Sequence, residues 1–163
     1  MKVYIRNKLI TIGGSSEVLN ENKEPIYKIK GKWISPNKKK LMYDMQGNLL
    51  YTIRNRFFNW LHNKVFVYDA NGDKVATIVK NKWSINRNYR IEDTIDEMSI
   101  EGKFIGLTSK ILKNGEEIGV ITRQITFMED AFSLEAEPQD IQFLIALVIA
   151  FDNIIDKRRE DND

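Results

Sequence analysis

The sequence predicts a mainly β protein, a closed antiparallel barrel of about twelve strands enclosing a buried hydrophobic C-terminal helix. Three observations predict this fold. Short strand-like segments recur between turn residues, no amphipathic helical segment separates them, and the stretch 141–155 is apolar in every direction around a helix. A barrel closed around that helix would bury it and leave no open strand edge.

Length and composition predict one domain. A chain of 163 residues is large enough to bury a core without disulfides or metals. We assign residues 1–156 to a single barrel domain and residues 157–163 to a charged C-terminal tail. With no cysteine and one histidine, disulfide scaffolds, thiolate metal sites and histidine-rich metal sites are excluded. The formal net charge of +2 indicates no overall field of the kind that marks nucleic-acid binding.

The strongest signal of organisation is an internal repeat of hairpins, which begins after the predicted turn at Gly13-Gly14. Three copies have a glycine six residues before an isoleucine, and one copy has a lysine in place of that glycine. Turn pairs such as Asn-Gly favour hairpins because both residues tolerate positive φ angles. The four turn-to-isoleucine pairs are Lys23 and Ile29, Gly47 and Ile53, Gly72 and Ile78, and Gly115 and Ile121.

The first three copies lie 24 and 25 residues apart, so each of these units holds two strands and a connection, and the strands are antiparallel neighbours. Alternation assigns the two faces of these strands. In the third copy, adjacent Ile78 and Val79 predict a bulge or a strand end. The apolar face of the first two copies holds Tyr27, Ile29, Gly31, Trp33, Tyr51, Ile53, Asn55 and Phe57, and the polar face holds Lys28, Lys30, Lys32, Thr52, Arg54 and Arg56.

Ile141–Ile155 is the one convincing helix. Only three of its residues are polar, and Pro138 and the acids near it suit a helix start. A membrane span is the alternative interpretation, but fifteen residues reach roughly 22 Å, against a hydrocarbon core of about 30 Å. We therefore predict a helix buried in protein. Its predicted core side chains are Phe143, Leu144, Leu147, Val148 and Phe151.

The order of these segments resembles a known family. The segments are a Gly-Gly turn, LNENKEPIYKIKGKW, LMYDMQGNLLYTIRNR, VFVYDANGDKVATIVKNKW, SKILKNGEEIGVITR and a terminal FLIALVIAFDNII helix. Over roughly residues 1–156 they resemble the LURP-one-related family, which belongs with the tubby C-terminal domains and the phospholipid scramblases. The resemblance implies a twelve-stranded barrel around a hydrophobic C-terminal helix. It implies no ligand site here, because no tubby phosphoinositide-binding signature matches residue by residue.

Eight basic residues on the predicted hairpins are candidates for an anionic-lipid patch. Each basic residue near a membrane surface contributes about 1 kcal/mol of attraction to anionic head groups. The alternative is a solvated strand face whose charges discourage edge pairing. The candidates are Lys28, Lys30, Lys32, Lys38, Lys39, Lys40, Arg54 and Arg56.

Other residues have two interpretations each. The aromatic residues Trp33, Phe57, Phe58, Trp60 and Trp83 form either an exposed anchor or part of the core. The acids Glu92, Asp93, Asp96 and Glu97 lack the spacing of a calcium loop and are interpreted as a solvated loop rather than a cation site. His62 has no second histidine or cysteine to support catalysis. Asp152 is expected to be partly buried, accepting hydrogen bonds from strand ends or capping the helix exit.

Two classes of function follow. We expect a non-enzymatic cytoplasmic binding or scaffold module, with weak affinity for an anionic membrane surface or phosphoinositide, or with a protein partner. The alternative is a small-molecule-binding protein or an enzyme with a pocket at the barrel rim. No catalytic residue, cofactor, metal, nucleic-acid partner or transmembrane span is expected. The cytoplasmic location is expected because residues 1–8 lack a long apolar segment of a signal peptide.

Overall fold

The computed structural model has twelve strands and one helix in the part of the chain that it describes, residues 1–6, 15–31, 37–56, 64–80, 87–102, 107–125 and 130–160. The strands are β1 Lys2–Arg6, β2 Ser15–Leu19, β3 Pro25–Gly31, β4 Lys40–Tyr43, β5 Leu49–Asn55, β6 Lys64–Tyr68, β7 Lys74–Lys80, β8 Arg87–Glu92, β9 Met98–Gly102, β10 Thr108–Lys113, β11 Glu116–Ile125 and β12 Asp130–Ala136, and the helix is α1 Ile141–Glu160.

The sheet closes on itself. Each strand pairs in antiparallel orientation with its neighbour along the chain, and β1 also pairs with β12. The closing pair sets Val3 opposite Leu134 and Ile5 opposite Phe132, and all four side chains are buried. The predicted closed antiparallel barrel of twelve strands is therefore confirmed.

The barrel has two distinct ends because the chain runs up and down in sequence order. We call one of them the turn end. It carries the tight connections 20–24, 44–48, 69–73, 93–97 and 114–115, and the segment 137–140 that leads into α1. The opposite end, the far end, carries Gly31, Lys40, Asn55 and Lys64, and α1 runs towards it from the turn end.

The four predicted hairpins are present. The backbone φ angle is positive at Lys23 (67°), Gly47 (91°), Gly72 (89°) and Gly115 (83°). The isoleucine that follows each of these residues by six positions is buried in the barrel, at most 3% exposed. The repeat therefore marks both a turn and the inward face of the strand after it.

The turns themselves are of two kinds. Only the fourth, at Asn114-Gly115, has positive φ at both central residues, as the primed two-residue turn requires. The second and third are longer loops closed by an aspartate. Asp44 Oδ1 accepts hydrogen bonds from the backbone N–H groups of residues 46 (3.0 Å) and 48 (2.8 Å), and Asp69 does the same two and four residues later.

Of the two alternatives predicted at Ile78 and Val79, the bulge is absent, and the strand end lies one residue later, at Lys80. Strand β7 continues to Lys80, and its pairing with β6 is regular from Val79 to Ala76. The register shifts instead at Val67 and Tyr68 of β6. A shift beside a hairpin turn adds one residue to one strand, so it changes the local twist without interrupting the next strand.

Helix α1 is longer than predicted, ending at Glu160 rather than at Ile155. The Leu144 N–H donates to the Asp140 carbonyl at 3.0 Å, and Pro138 lies in the turn before the helix rather than in its first turn. Twenty residues reach about 30 Å, so length alone does not separate this helix from a membrane span. Within the described residues, no helix combines the length and apolar character needed to cross a membrane.

The helix fills the barrel. Every residue from 144 to 151 is at most 5% exposed, which requires neighbours on all sides of the helix. Phe151 packs edge-on against Tyr89 of β8 at 5.0 Å between ring centroids, and half-buried Phe143 lies 6.2 Å from Tyr51 of β5. On β11, Gly119 leaves room for the helix, since a Cβ there would lie 3.2 Å from Leu144 Cδ1.

Replacing Leu147 of α1 with Ala should lower the free energy of unfolding by about 2–5 kcal/mol, because its side chain is fully buried inside the barrel. Urea denaturation followed by circular dichroism measures this change. The matched control is Ile95→Ala, because Ile95 is fully exposed at a turn and its loss should change stability by less than about 0.5 kcal/mol. Similar effects of the two substitutions would contradict the buried helix.

Candidate functional site

A sector of the barrel contains cations and no anions. The strands β3, β4 and β5 read PIYKIKG, KLMY and LLYTIRN and contain no acidic residue. With the flanking segment 37–39 and Arg56, this sector contains seven of the eight predicted basic residues, the eighth, Lys32, lying outside the described residues. The seven are Lys28, Lys30, Lys38, Lys39, Lys40, Arg54 and Arg56.

Lys28 and Lys30 are exposed on the outer face of β3, because Ile29 between them points into the core. Their partners on β4 are Tyr43 and Leu41 respectively. The Lys30 ammonium lies 5.2 Å from the centroid of the Tyr43 ring, within the range of a cation–π contact. Alternation along β3 therefore presents two lysines to solvent, as predicted.

Arg54 and Arg56 are exposed at the far end of β5. The Arg54 side chain donates from Nη2 to the Tyr68 hydroxyl at 2.8 Å, and its guanidinium carbon lies 4.5 Å from the centroid of that ring. Because β4 alone separates β3 from β5, the two strands lie roughly 10 Å apart. The lysines of β3 and the arginines of β5 therefore share one surface.

Lys38 and Lys39 lie next to this surface, in the segment before β4. Both are half-buried, and the segment is tied to β5 by a hydrogen bond from the Asn55 N–H to the Asn37 carbonyl at 2.7 Å. We call the set of Lys28, Lys30, Lys38, Lys39, Arg54 and Arg56 the basic face.

Lys40 does not belong to the basic face, which corrects its assignment to the anionic-lipid patch. It pairs with Gly31 and Ile53, both on the inward face, and its Nζ lies 3.0 Å from Asp152 Oδ2. The two side chains are only 13% and 3% exposed. The sequence carried a signal for this, because Lys40 stands two residues before Met42, whose side chain is fully buried.

A polar cluster lies inside the far end of the barrel. As expected, Asp152 is buried and binds a strand end, through the ion pair with Lys40. Its neighbour Asn153 donates from Nδ2 to the Asn55 Oδ1 and to the Lys38 carbonyl, each at 3.2 Å. We call Lys40, Asn55, Asp152 and Asn153 the far-end cluster. Sequence reasoning missed the partners of Asn55 and Asn153, although each was a polar residue on an apolar face.

Three of the four acids at the β8–β9 connection, Glu92, Asp93 and Asp96, are held in ion pairs rather than grouped around one point. Glu92 contacts Arg90 at 2.5 Å, Asp93 contacts Lys74 at 3.0 Å, and Asp96 contacts Lys113 at 2.9 Å. In the described part of the chain, no group of three or more His, Cys, Asp or Glu side chains is placed to hold a metal ion. His62 and the aromatic residues Trp33, Phe57, Phe58, Trp60 and Trp83 lie outside the described residues.

Hydrogen bonds to these acids favour their ionised forms. The hydrogen bond from the Thr77 hydroxyl holds the pKa of Asp93 below its ordinary value, and the hydrogen bond from Lys74 makes the second-largest contribution. Arg90 lowers the pKa of Glu92 chiefly by its hydrogen bond, and Lys113 does the same for the pKa of Asp96. The outer surface around the β8–β9 connection therefore carries linked ion pairs.

Acidic residues are concentrated in the connections of the turn end, although the whole chain carries a net charge of +2. The connecting segments of the turn end hold ten acidic residues and one basic residue, Lys23. The basic face lies on β3–β5 and towards the far end. This separation depends on which turns share an end, so composition did not reveal it. The ten acids are Glu21, Glu24, Asp44, Asp69, Asp73, Asp93, Asp96, Glu97, Glu137 and Asp140.

Comparison with known proteins identifies a family. The model of the family described as LURP-one-related matches residues 1–152, which span all twelve strands and most of α1. No curated protein matches the chain, and no solved structure matches it. The resemblance drawn from the order of the segments is therefore confirmed at the level of the family.

Acid should destabilise the protein as the pH falls below about 4, the ordinary pKa of a carboxyl group. The pKa of Glu92, Asp93 and Asp96 is lower in the folded state, so their contribution is present above the unfolded pKa and is lost as pH falls through the folded pKa. Chemical denaturation between pH 7 and pH 3 measures the loss.

The matched variant for this prediction is Thr77→Val, which removes the principal hydrogen bond to Asp93 with little change of shape. In this variant the pKa of Asp93, followed by NMR, should rise towards its ordinary value, and the acid-induced loss of stability should become smaller. An Asp93 pKa that is unchanged by the substitution would contradict this account.

Proposed function

The chain belongs to the LURP-one-related family, and we propose that it is a non-enzymatic binding module whose basic face docks on an anionic membrane surface. One observation carries the proposal. Three adjacent strands and their far-end flanks contain no acid and present Lys28, Lys30, Arg54 and Arg56 as exposed cations, with Lys38 and Lys39 beside them. A local excess of positive charge attracts an anionic partner even when the net charge is small, although Glu17 of the neighbouring strand β2 lies opposite Lys28 at the edge of this surface.

The separation of charge supports an orientation on the membrane. Acids repelled by an anionic surface are concentrated at the turn end, while the basic face extends to the far end. A molecule with this distribution approaches an anionic surface with its far end and its β3–β5 sector turned towards it. Attraction of about 1 kcal/mol per basic residue acts within a Debye length, so the binding should weaken with salt.

The occupied interior supports binding on the outside. Helix α1 fills the barrel, and the far-end cluster satisfies the polar groups next to its exit with protein partners. Polar ligands are therefore placed, in this proposal, on the outer surface rather than in the lumen. We also infer a cytoplasmic location, because anionic lipids give the cytoplasmic leaflet its negative surface potential.

We further infer that the family shares its architecture with the tubby C-terminal domains and the phospholipid scramblases. The observation that supports this placement is the twelve-stranded closed barrel around one apolar C-terminal helix. The shared architecture carries no ligand site over to this chain, so the proposed function depends on the basic face alone.

The test is co-sedimentation with vesicles of phosphatidylcholine, with and without phosphatidylserine, across a range of salt. The wild-type protein should bind only the phosphatidylserine vesicles, and binding should fall with salt. The variant Lys28→Gln, Lys30→Gln, Arg54→Gln, Arg56→Gln should bind them roughly 10²–10³-fold more weakly, since it loses four residues at about 1 kcal/mol each.

A second four-residue variant separates a local face from net charge. Lys2, Lys74, Lys110 and Lys113 each form an ion pair with an acid, outside the basic face. Replacing these four with Gln changes the net charge by the same amount, yet should leave most of the binding intact. The proposal would be overturned if the wild-type protein did not bind phosphatidylserine vesicles at low salt, or if the two variants lost binding affinity equally.

A further inference from the structure

We propose that Asn153 of α1 is a positioning residue for the basic face, holding the segment 37–40 in the conformation that presents Lys38 and Lys39. The inference rests on the proposed function, because it concerns the surface that would meet the membrane. Its basis is a set of contacts between the buried helix and a surface segment more than a hundred residues earlier in the chain.

The amide of Asn153 joins three parts of the chain at one point. The side chain is 1% exposed, and its Nδ2 donates both to the Lys38 carbonyl and to the Asn55 Oδ1 at 3.2 Å. Asn55 in turn donates from its backbone N–H to the Asn37 carbonyl at 2.7 Å. The segment, the end of β5 and the helix are therefore linked by a short chain of hydrogen bonds.

The backbone of Lys38 needs this support. Its φ angle is +44°, in a region that residues with a side chain rarely adopt and that is unfavourable for lysine. Among the described residues, Lys23 also has a positive φ and lies in a hairpin turn, whereas Lys38 lies in the connection between β3 and β4. A strained residue persists where its surroundings determine its conformation, and the Asn153 bond to the Lys38 carbonyl is such a constraint.

A second attachment fixes the other end of the segment. Lys40 points inward and pairs with Asp152 at 3.0 Å, so consecutive residues of the helix bind the segment at positions 38 and 40. Lys39 lies between these two attachments. Both attachments come from the C-terminal half of α1, so displacement of this half would remove two constraints on the shape of the segment. By thermodynamic linkage, a membrane surface that binds Lys38 and Lys39 in this conformation also stabilises α1 in its position inside the barrel.

The test combines Asn153→Leu, which removes the donor with little change of volume, with Lys38→Gln and Lys39→Gln. Binding is measured on phosphatidylserine-containing vesicles, well below the unfolding temperature. The two-lysine variant should bind about 30-fold more weakly than wild type, as two surface lysines imply. Asn153→Leu should weaken binding by a similar factor, and adding it to the two-lysine variant should have no further effect.

A purely structural role would give a different result. Asn153→Leu would then lower stability but leave the affinity of the folded protein unchanged, and that outcome overturns the inference while the proposed function stands. An equal loss in both backgrounds also overturns it, because the effect would not pass through the two lysines. If wild-type protein does not bind these vesicles, the proposed function fails first and this inference with it.

Hydrogen exchange of the wild-type protein gives a readout that needs no variant. Addition of phosphatidylserine vesicles should slow amide exchange in residues 37–40 and 150–154, but not at the remote turn 114–115. Vesicles of phosphatidylcholine alone should change neither region. Binding without any change at 37–40 and 150–154 would overturn the coupling between the segment and the helix.

Discussion

The structure depends on the mutual burial of one apolar helix and a sheet too wide to fill itself. About eight strands close into a barrel that their own side chains fill, whereas a wider barrel needs something inside. Residues 144–151 of α1 are apolar and buried on every side. The helix alone, or the sheet alone, would expose a large apolar surface to water. The two are therefore stable only together.

This packing decides where chemistry is found. Most inward positions near the middle of the barrel are apolar, and Gly119 of β11 leaves space for Leu144. The far-end cluster is the exception. There, Asp152 pairs with Lys40, and Asn153 donates hydrogen bonds to Asn55 and to a backbone carbonyl. This part of the helix is therefore held by specific polar contacts as well as by apolar packing. Unsatisfied, these groups would destabilise the barrel, because burial removes their hydrogen bonds to water.

Much of this fold could be predicted from the sequence because its signals are local. A turn residue with positive φ and an isoleucine six positions later identify a hairpin and its inward face, as at Gly72 and Ile78. The absence of a polar face likewise identified the buried helix. Lys40 was misassigned because the run Lys38-Lys39-Lys40 was taken as one surface feature, although alternation with Met42 places the last lysine inside.

What the sequence did not reveal depends on contacts between distant parts of the chain. Asn153 meets Lys38 and Asn55 only because α1 runs from the turn end to the far end inside the closed sheet. The sorting of acids to the turn end likewise becomes visible only when five connections are known to share one end. Net charge is a sum over the chain and carries no information about such placement.

Helix α1 is an integral part of the barrel interior. Its enclosure can be measured by native-state amide hydrogen exchange of residues 144–151 as a function of denaturant. If the helix is enclosed, these amides should exchange only through global unfolding, with the same opening free energy as the core strands. Exchange of these amides at a clearly lower free energy, while the strands remain protected, would mean that the helix leaves an intact barrel and would contradict the account.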